Sequence, residues 1–440
     1  MDKIDHALSF ADQVSRDHRQ LTLLRDHLGW MQKNSPWYRE LFRKLGIEAT
    51  DVRSVNDLSH LPLTGKDDLA AHNRQFLAVD LEDVVDICQT SGTTGAPVTV
   101  WQTENDLQRL ACNESLALTT AGIDCDDRVL IGAALDRGFM AGLAYFLGLR
   151  RIGATSLRLG SGQPALVAEA IRTHRPNVLL GVPSLLLALA RKMSSQGLEP
   201  ASLGVEKLIC IGEPVRSQDL SLAPLGIALQ ESWGARVLGT YASTEMATSF
   251  ADCVSGCGGH LLPELVVVEI VDDSGSPVPN GEPGEVVATP LGIEGMPLLR
   301  YRTGDIASLH TTPCACGRLT PRLGPILGRR AQMLKVRGVT LFPAAIGHVL
   351  QELAGIEGYY IEVEQDFDLS DRVRVVAGCT RSEMTADWVA AEIAGKVRVR
   401  PEVMLVSPEE ILTRTVNPER RKPQTFFDYR HCQGEKNRSL

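Results

Sequence analysis

A short run of glycine and hydroxyl residues, Ser91-Gly92-Thr93-Thr94-Gly95, is the part of the sequence best suited to binding phosphate. Glycine permits backbone angles that aim successive N–H groups at one point, and the hydroxyls add further donors. No Gly-Lys-Ser/Thr follows at the spacing of a Walker loop. A plain Gly/Ser/Thr surface turn has a similar composition, but Val98–Trp101 has the pattern of a strand, so the run is a tight connection. The sequence therefore predicts a loop that wraps a phosphate chain.

Two carboxylates in later motifs have the chemistry of a nucleotide site. Glu245 ends Tyr241-Ala242-Ser243-Thr244-Glu245 after a predicted strand, where it can reach a Mg²⁺ ion held on phosphates. A glutamate favoured by a helix N-terminus is the alternative. Asp305 ends Tyr301-Arg302-Thr303-Gly304-Asp305, and its carboxylate can accept hydrogen bonds from both hydroxyls of a ribose. A Thr-Gly-Asp turn is commonly structural, so taken alone this motif leaves both readings open.

Five potential metal ligands form two clusters, with Cys253, Cys257 and His260 in one and Cys314 and Cys316 in the other. Structural zinc takes four sulfur or nitrogen ligands in a tetrahedron. Five candidates for four positions leave the ligand set open, and incidental cysteines are the alternative. The remaining cysteines are scattered and are expected to be small buried hydrophobes.

Alternating apolar runs and helical patterns predict the elements that position these residues. Strand–helix alternation indicates parallel strands with helices on the faces, and such sheets place ligand sites at the carboxyl ends of their strands. Gly212-Glu213-Pro214, Pro183-Ser184 and Thr240-Tyr241 fall at such ends. The predicted strands are Val129–Leu135, Ala154–Leu159, Val178–Val182, Lys207–Gly212 and Arg236–Tyr241.

The pattern of apolar residues changes twice after the predicted sheet. Alternation over Val266–Val271 and Glu285–Thr289 predicts an antiparallel subdomain. Short strands and helices after Gly328 predict a small α+β unit. We therefore expect an α/β fold in which 1–328 form a large N-terminal domain with mostly parallel sheets and 329–440 form a small mobile lid.

Composition limits the class of protein. The chain has 440 residues and a formal net charge of -9, which argues against nucleic-acid binding. No apolar run is long enough to span a bilayer and no signal peptide is apparent, so we expect a cytoplasmic protein without disulfides, acting as a monomer or homodimer.

Taken together, these motifs resemble those of the adenylate-forming enzymes, in the phenylacetate–CoA ligase branch. The matching patterns are Ser-Gly-Thr-Thr-Gly-x-Pro, Tyr-x-x-Thr-Glu and the Thr-Gly-Asp turn, within a resemblance that runs from Leu61 to Arg430. Two positions depart from the family: Ala96 stands where a lysine is usual, and Ala331 where the hinge usually has a carboxylate.

The resemblance implies roles for individual residues. Tyr241, Gly212, Glu213 and Pro214 would contact the adenine, Asp305 the ribose, and Arg329 the ribose or a phosphate. Lys422 would be the catalytic lysine, acting with Thr240 and a Glu245-bound Mg²⁺ on the α-phosphate, and Gly338 would border a thiol tunnel. The family pattern favours Cys253, His260, Cys314 and Cys316 as zinc ligands, with Cys257 as a spare.

The activity that the resemblance implies is ATP-dependent conversion of a carboxylic acid into an acyl-adenylate. A thiol, most often that of coenzyme A, then captures the acyl group after the lid rotates near Ala331. A carrier-protein phosphopantetheine or an amine is an alternative acceptor, and a nucleotide-binding protein without catalysis is an alternative function. Small and aromatic residues that would suit a flat aromatic acid, or equally a packed core, are Phe139, Met140, Ala141, Gly142, Tyr145, Pro183 and Ser184.

Overall fold

The computed structural model describes residues 7–90, 98–136, 138–160, 164–367, 370–416 and 423–430, with the backbone alone at 366 and 367. The chain forms two compact units, Met1–Ile326 and Leu327–Leu440. Each unit combines helices with sheets, so the predicted α/β class is confirmed. The sequence placed the boundary after residue 328, and the mobility of the second unit stays a prediction.

The beginning of the chain is mainly helical, and polar caps and prolines set where its helices start. Asp12 accepts a hydrogen bond from the Ser15 N–H at 2.9 Å and caps the second helix. Pro36 stands in the first turn of the third helix, and Gly46 ends that helix with a φ of 65°. The helices are α1 (Ala7–Phe10), α2 (Gln13–Asn34), α3 (Pro36–Leu45) and α4 (Lys66–His72).

A short hairpin carries the predicted phosphate loop. Strand β1 (Val84–Gln89) pairs antiparallel with β2 (Thr99–Thr103), and helix α5 (Glu104–Thr120) follows directly. Thr103 and Asp106 cap α5 reciprocally, each side chain accepting a hydrogen bond from the other residue's backbone N–H. The predicted strand after the loop is confirmed.

A six-stranded sheet forms the centre of the N-terminal unit. Its strands are β3 (Arg128–Ile131), β4 (Thr155–Arg158), β5 (Val178–Gly181), β6 (Lys207–Cys210), β7 (Arg236–Ser243) and β8 (Thr248–Ala251). The helices among them are α6 (Met140–Ile152), α7 (Pro164–His174), α8 (Pro183–Ser195) and α9 (Pro224–Trp233). The order β4-β3-β5-β6-β7 is parallel throughout, which confirms the predicted sheet, and β8 adds an antiparallel edge beside β7. The sequence did not indicate β8, because Thr248 and Ser249 are polar although buried, so this strand shows neither an apolar run nor alternation.

Two smaller sheets complete this unit. A two-residue strand, β9 (Gly259–His260), precedes the antiparallel strands β10 (Val266–Val271), β11 (Gly284–Pro290) and β12 (Tyr301–Ala307), which pair in that order. The predicted antiparallel subdomain is therefore confirmed. Strands β13 (Leu309–His310) and β14 (Arg322–Leu323) join β9 in a small sheet of order β13-β14-β9.

The C-terminal unit begins with β15 (Gly328–Arg329) and the hairpin of β16 (Leu334–Val336) and β17 (Val339–Leu341). Its main sheet has the order β20-β19-β18-β21, antiparallel between β18 and β19 and parallel at both outer pairs. The elements after the hairpin are α10 (Pro343–Glu352), β18 (Ile356–Phe367), β19 (Ser370–Cys379), α11 (Ala386–Val397), β20 (Glu402–Val406), α12 (Pro408–Thr415) and β21 (Phe426–Asp428). Across both units, no helix among the described residues is long and apolar enough to cross a membrane.

Candidate active site and cysteine cluster

The base of the predicted phosphate loop is closed by two hydrogen bonds. The Thr90 N–H donates to the Val98 carbonyl at 3.0 Å, and the Val98 N–H donates to the Thr90 hydroxyl at 2.9 Å. Thr90 is buried, so this neck is anchored in the unit. The predicted phosphate contacts themselves, Ser91, Gly92, Thr93, Thr94 and Gly95, lie outside the described residues, and so does Lys422.

Two contacts join the Tyr241–Glu245 segment to strand β12. The Tyr241 hydroxyl donates to the Asp305 carboxylate at 2.9 Å. The Tyr301 hydroxyl is hydrogen-bonded to Glu245, and burial together with this carboxylate raises the pKa of Tyr301 far above its usual value. Tyr241, Glu245 and Asp305, which the sequence assigned to adenine, metal and ribose, are thus brought to one place.

Tyr301 and Lys66 are neighbours of this site that the sequence analysis gave no role. The Lys66 ammonium lies 3.9 Å from the Glu245 carboxylate, and the two side chains are 28% and 11% exposed. Tyr301 begins the motif that ends at Asp305. The proximity of Lys66 to Tyr301 depends on a pairing between Thr64 and Tyr301, far apart in the chain, which no local pattern reveals.

The predicted adenine-binding turn lies at the carboxyl end of β6. Gly212 has a φ of 75°, a conformation that favours glycine, and is exposed, while Pro214 is half-buried. The Glu213 carboxylate accepts hydrogen bonds from the Ser184 N–H and the Ser184 hydroxyl, both at 2.9 Å. The Glu213 carboxylate therefore holds the first turn of α8 beside the turn that follows β6.

Interacting polar side chains, among them Thr240, Tyr145 and Glu114, lie near the carboxyl ends of β6 and β7. The Thr240 hydroxyl donates to the Cys210 carbonyl at 3.1 Å and is also hydrogen-bonded to Tyr145. Burial raises the pKa of the Tyr145 phenol, and the nearby Glu114 carboxylate adds to the shift. Burial likewise raises the pKa of Glu114 to about 7, against a smaller opposing effect of its hydrogen bond with Ser249.

The residues predicted to line an acid pocket divide by their burial. Phe139, Ala141 and Ser184 are half-buried, whereas Met140 and Tyr145 pack in apolar clusters. Pro183 is buried at the first position of α8. A Cβ at Gly142 would come within 2.2 Å of the Ala134 carbonyl oxygen, so close packing against the β3–α6 connection accounts for this glycine.

The predicted contacts of the C-terminal unit lie at its first residues. Arg329 is exposed in β15, and Gly338 turns the β16–β17 hairpin with a φ of 84° and no described atom within 4 Å of an added Cβ. Arg430 donates to the carbonyls of Ala331 at 3.1 Å and Met333 at 2.9 Å. The predicted hinge residue is thus attached to the C-terminal unit.

The cysteine clusters meet in space. Ligand atoms of Cys253, His260, Cys314 and Cys316 all lie within 4.8 Å of one another. The Cys253 and Cys314 sulfurs are 3.5 Å apart, and the Cys316 sulfur is 3.3 Å from His260 Nε2. Cys257 is not in the group; its thiol donates to the Ser255 carbonyl at 3.2 Å.

The donor set of this cluster fits zinc. His260 Nδ1 lies 3.0 Å from the Thr320 hydroxyl, a contact that orients the ring with Nε2 toward the sulfurs. Burial and the cations of Arg318 and Arg322 lower the pKa of His260 to about 4, so the imidazole is neutral and retains a lone pair at neutral pH. Three thiols and one imidazole match the ligands of a closed structural zinc site.

Comparison with known proteins shows the class of enzyme to which this fold belongs. A profile of the AMP-binding enzyme family matches residues 26–292, more than half of the chain. The phenylacetate-coenzyme A ligase of Thermus thermophilus is 32% identical over 416 residues, covering 88% of this chain and 91% of that protein. The chain therefore belongs to the AMP-binding enzyme family and is a relative of the phenylacetate–CoA ligases.

Further comparisons agree with this placement. The phenylacetate-coenzyme A ligase of Pseudomonas putida is 31% identical, covering 78% of this chain and 77% of that protein. The structure of 2-hydroxyisobutyryl-CoA ligase in its postadenylation state superposes with a TM-score of 0.86 at 21% identity, covering 97% of this chain and 94% of that one. The structural similarity to 2-hydroxyisobutyryl-CoA ligase shows that the two proteins share a fold.

Proposed function

We propose that this protein activates an aromatic carboxylic acid with MgATP and transfers the acyl group to the thiol of coenzyme A. The observation that carries the proposal is the double connection of Tyr241 with Asp305 and of Glu245 with Tyr301. It brings together a carboxylate suited to a ribose, an aromatic ring suited to stacking on adenine and a carboxylate suited to a metal ion, on adjoining segments. Glu245 follows the carboxyl end of β7, where parallel sheets place ligand sites, and Asp305 on β12 is joined to the same strand through Tyr241.

The first step forms the acyl-adenylate. An oxygen of the substrate carboxylate attacks the α-phosphorus, the bond from that phosphorus to the bridging oxygen breaks, and pyrophosphate leaves with the electron pair. Asp305 binds the ribose, and Tyr241 packs against the adenine with its own position set by Phe250, whose ring is stacked 6.3 Å away. Thr240 lies beside them on β7, where its hydroxyl can turn to a phosphate oxygen, and Lys422 supplies a cation.

Glu245 is the residue that would hold magnesium. Its carboxylate is a hard oxygen ligand, kept in place by the Tyr301 hydroxyl, which fits the ligand preference of this ion. When bound, Mg²⁺ supplies charge neutralisation on the phosphate oxygens. Tyr301 orients the carboxylate and excludes water from one side of it.

The second step transfers the acyl group from phosphate to sulfur. The thiolate attacks the acyl carbonyl carbon, the bond to the phosphate oxygen breaks, and AMP leaves. Gly338 lies on the β16–β17 turn, where a residue without a side chain leaves room for a thiol to approach the backbone. The C-terminal unit would thereby serve both steps, through Lys422 in the first and Gly338 in the second.

An aromatic acid is the substrate class that we propose. The named relatives in Thermus thermophilus and Pseudomonas putida act on phenylacetate. Half-buried Phe139 and Ala141 at the start of α6 offer an apolar wall, and Gly142 keeps this helix close to the β3–α6 connection. The cysteine cluster would bind zinc as a structural clip away from this chemistry.

Pyrophosphate exchange with a panel of arylacetic, benzoic and aliphatic acids tests the proposal. We expect ATP–pyrophosphate exchange that depends on an aromatic acid, and thioester formation when coenzyme A is added. Thioester with a phosphopantetheine carrier, or amide with an amine, in place of coenzyme A would identify another acceptor. Tight ATP binding without exchange for any acid would contradict the proposal and indicate a nucleotide-binding protein.

A further inference from the structure

The strongest inference beyond this activity concerns Lys66, which no motif assigns to the reaction. We propose that Lys66 is a phosphate-binding residue, whose ammonium contacts the β- and γ-phosphates of MgATP and the pyrophosphate that leaves. The inference rests on the proposed function, because it takes Glu245 to mark the metal end of the nucleotide. Position 96 in the phosphate loop is alanine, so that position supplies no cation.

The backbone around Lys66 is fixed from both sides. Thr64 pairs with β12: its N–H donates to the Arg300 carbonyl at 3.0 Å, and its carbonyl accepts from the Arg302 N–H at 2.9 Å. After it, the Gly65 N–H donates to the Asp68 carboxylate at 2.7 Å, which starts α4 at Lys66. Lys66 is therefore held beside β12 by contacts that do not involve its own side chain.

Strand β12 relates Lys66 to both ends of the nucleotide. Tyr301, opposite Thr64, contacts Glu245, and Asp305 lies four residues further along the same strand. Four residues of strand span at most about 13 Å. That distance is on the order of the separation between the sugar and the terminal phosphates of ATP, so Lys66 and Glu245 stand at the pyrophosphate end when Asp305 holds the ribose.

The charges around Lys66 leave its ammonium available for an anion. Within the described part of the chain, the 3.9 Å approach to Glu245 is its ion pair, and its ammonium makes no hydrogen bond there. The two guanidinium groups that flank Tyr301 in sequence already form ion pairs, because Arg300 pairs with Glu269 and Arg302 with Glu285. When a metal takes Glu245, the lysine can turn its three N–H donors to phosphate oxygens.

Equilibrium binding tests this role without turnover. Titration calorimetry with MgATP, magnesium pyrophosphate and AMP would be compared for the parent protein, Lys66→Met and Lys66→Arg. Loss of a charge-assisted hydrogen bond should weaken MgATP and pyrophosphate binding about ten- to a hundredfold in Lys66→Met. AMP, which lacks both outer phosphates, should bind within about twofold of the parent, and Lys66→Arg should restore most of the affinity for ATP.

The controls separate this role from folding and from the wider proposal. Lys44→Met removes an exposed lysine that pairs with Glu40 and should change none of the three affinities. If Lys66→Met weakens the affinities for AMP and ATP equally, the role of the lysine is structural and the inference is wrong. An unchanged affinity for ATP would also contradict the inference. If the parent binds neither ATP nor AMP, the proposed function fails as well. If Lys66→Met does not fold, Lys66→Gln provides the same comparison.

Discussion

At the scale of single residues, the site is defined by side chains that hold one another before any substrate is bound. Tyr241 donates to Asp305, Tyr301 is bonded to Glu245, and Glu213 accepts two hydrogen bonds from Ser184. Each carboxylate is thereby oriented by a neutral donor. Preorganised groups of this kind lose little entropy when the reaction begins.

Glu245→Gln should weaken Mg²⁺-dependent adenylation without unfolding the chain. Removing a charge that contacts the transition state costs about 10²–10³-fold in rate, so pyrophosphate exchange should fall by that factor. Tyr301→Phe removes the orienting hydroxyl and should cost about tenfold, as expected for one hydrogen bond. Glu294→Gln is a matched control, because Glu294 bonds Asn105 on the surface. Exchange at the parent rate in Glu245→Gln would place the metal elsewhere.

Asp305→Ala should chiefly weaken nucleotide binding. The Asp305 carboxylate accepts from Tyr241 at 2.9 Å, so the substitution removes the ribose acceptor and also frees the adenine-facing ring. The affinities for AMP and ATP should fall together by about ten- to a hundredfold, in contrast to the ATP-selective loss expected for Lys66→Met. Calorimetry with the two nucleotides measures both, and unchanged AMP affinity would remove Asp305 from the site.

Glu114 should make the stability of the fold depend on pH. Its pKa is raised by burial from 4.5 to about 7, so its favourable contribution is intact below the unfolded pKa and is lost as pH rises through the folded one. Glu114→Gln should therefore gain stability over the parent with rising pH, by at most about 3 kcal/mol. Urea unfolding near about pH 5.5 and about pH 8.5 would measure this, with exposed Glu82→Gln as the control. A pH-independent difference would contradict it.

At the scale of elements, strand β8 connects the cysteine cluster to the nucleotide site. Its Phe250 pairs with and stacks on Tyr241, and Cys253 follows shortly after its end. Between them, Asp252 accepts from the Gly239 N–H of β7 at 2.8 Å and from the Gly258 N–H at 3.0 Å. The segment between the ligands Cys253 and His260 is thus attached directly to β7, the strand that carries Tyr241.

Zinc removal should therefore affect both stability and nucleotide binding. Metal analysis of protein purified without added metal should find about one zinc per chain. Cys314→Ser should lose the zinc and lower the melting temperature by several degrees, which corresponds to a loss of roughly 1–3 kcal/mol in the free energy of unfolding. The same substitution should weaken AMP binding a few-fold. Cys257→Ser is the matched control, since that thiol lies outside the cluster. A metal-free parent of undiminished stability would rule out the site.

The sequence predicted those elements that a local residue pattern marks and missed features that no local pattern marks. The parallel strands were predictable because Val178–Gly181 is a continuous buried run. Strand β8 was not, because two of its four buried residues, Thr248 and Ser249, are polar. The proximity of Lys66 to Glu245 was not, because it depends on the pairing of Thr64 with Tyr301, far away in sequence. The exclusion of Cys257 followed from the family pattern alone; the residues by themselves left five candidates for four places.

At the scale of the whole molecule, the chain divides after Ile326, and the segment that follows belongs to the C-terminal unit. Arg430 binds the carbonyls of Ala331 and Met333 and forms an ion pair with Asp371. Ala331 is therefore fastened to the lid. Rotation of this unit near Ala331 stays a prediction.

Division of labour between two parts of the C-terminal unit is the prediction that depends on the whole molecule. Adenylation needs a cation at the α-phosphate, whereas thioester formation needs an open path for a thiol, and one lid orientation can hardly provide both. Lys422→Ala should therefore lower adenylation about 10²–10³-fold and still convert supplied acyl-adenylate with coenzyme A. Gly338→Phe should block thioester formation and leave pyrophosphate exchange largely intact.

Matched variants make this contrast decisive. Gly338→Ala imposes the same strain at a φ of 84° without the bulk, so it should retain far more thioester formation than Gly338→Phe if blocked access is the cause. Lys396→Ala removes a lysine that pairs with Glu352 in the same unit and should leave adenylation unchanged. If Lys422→Ala adenylates at the parent rate while Lys396→Ala does not, the catalytic lysine is Lys396. If both Gly338 variants lose thioester formation equally, backbone strain in the β16–β17 turn is the cause, and the thiol takes another path.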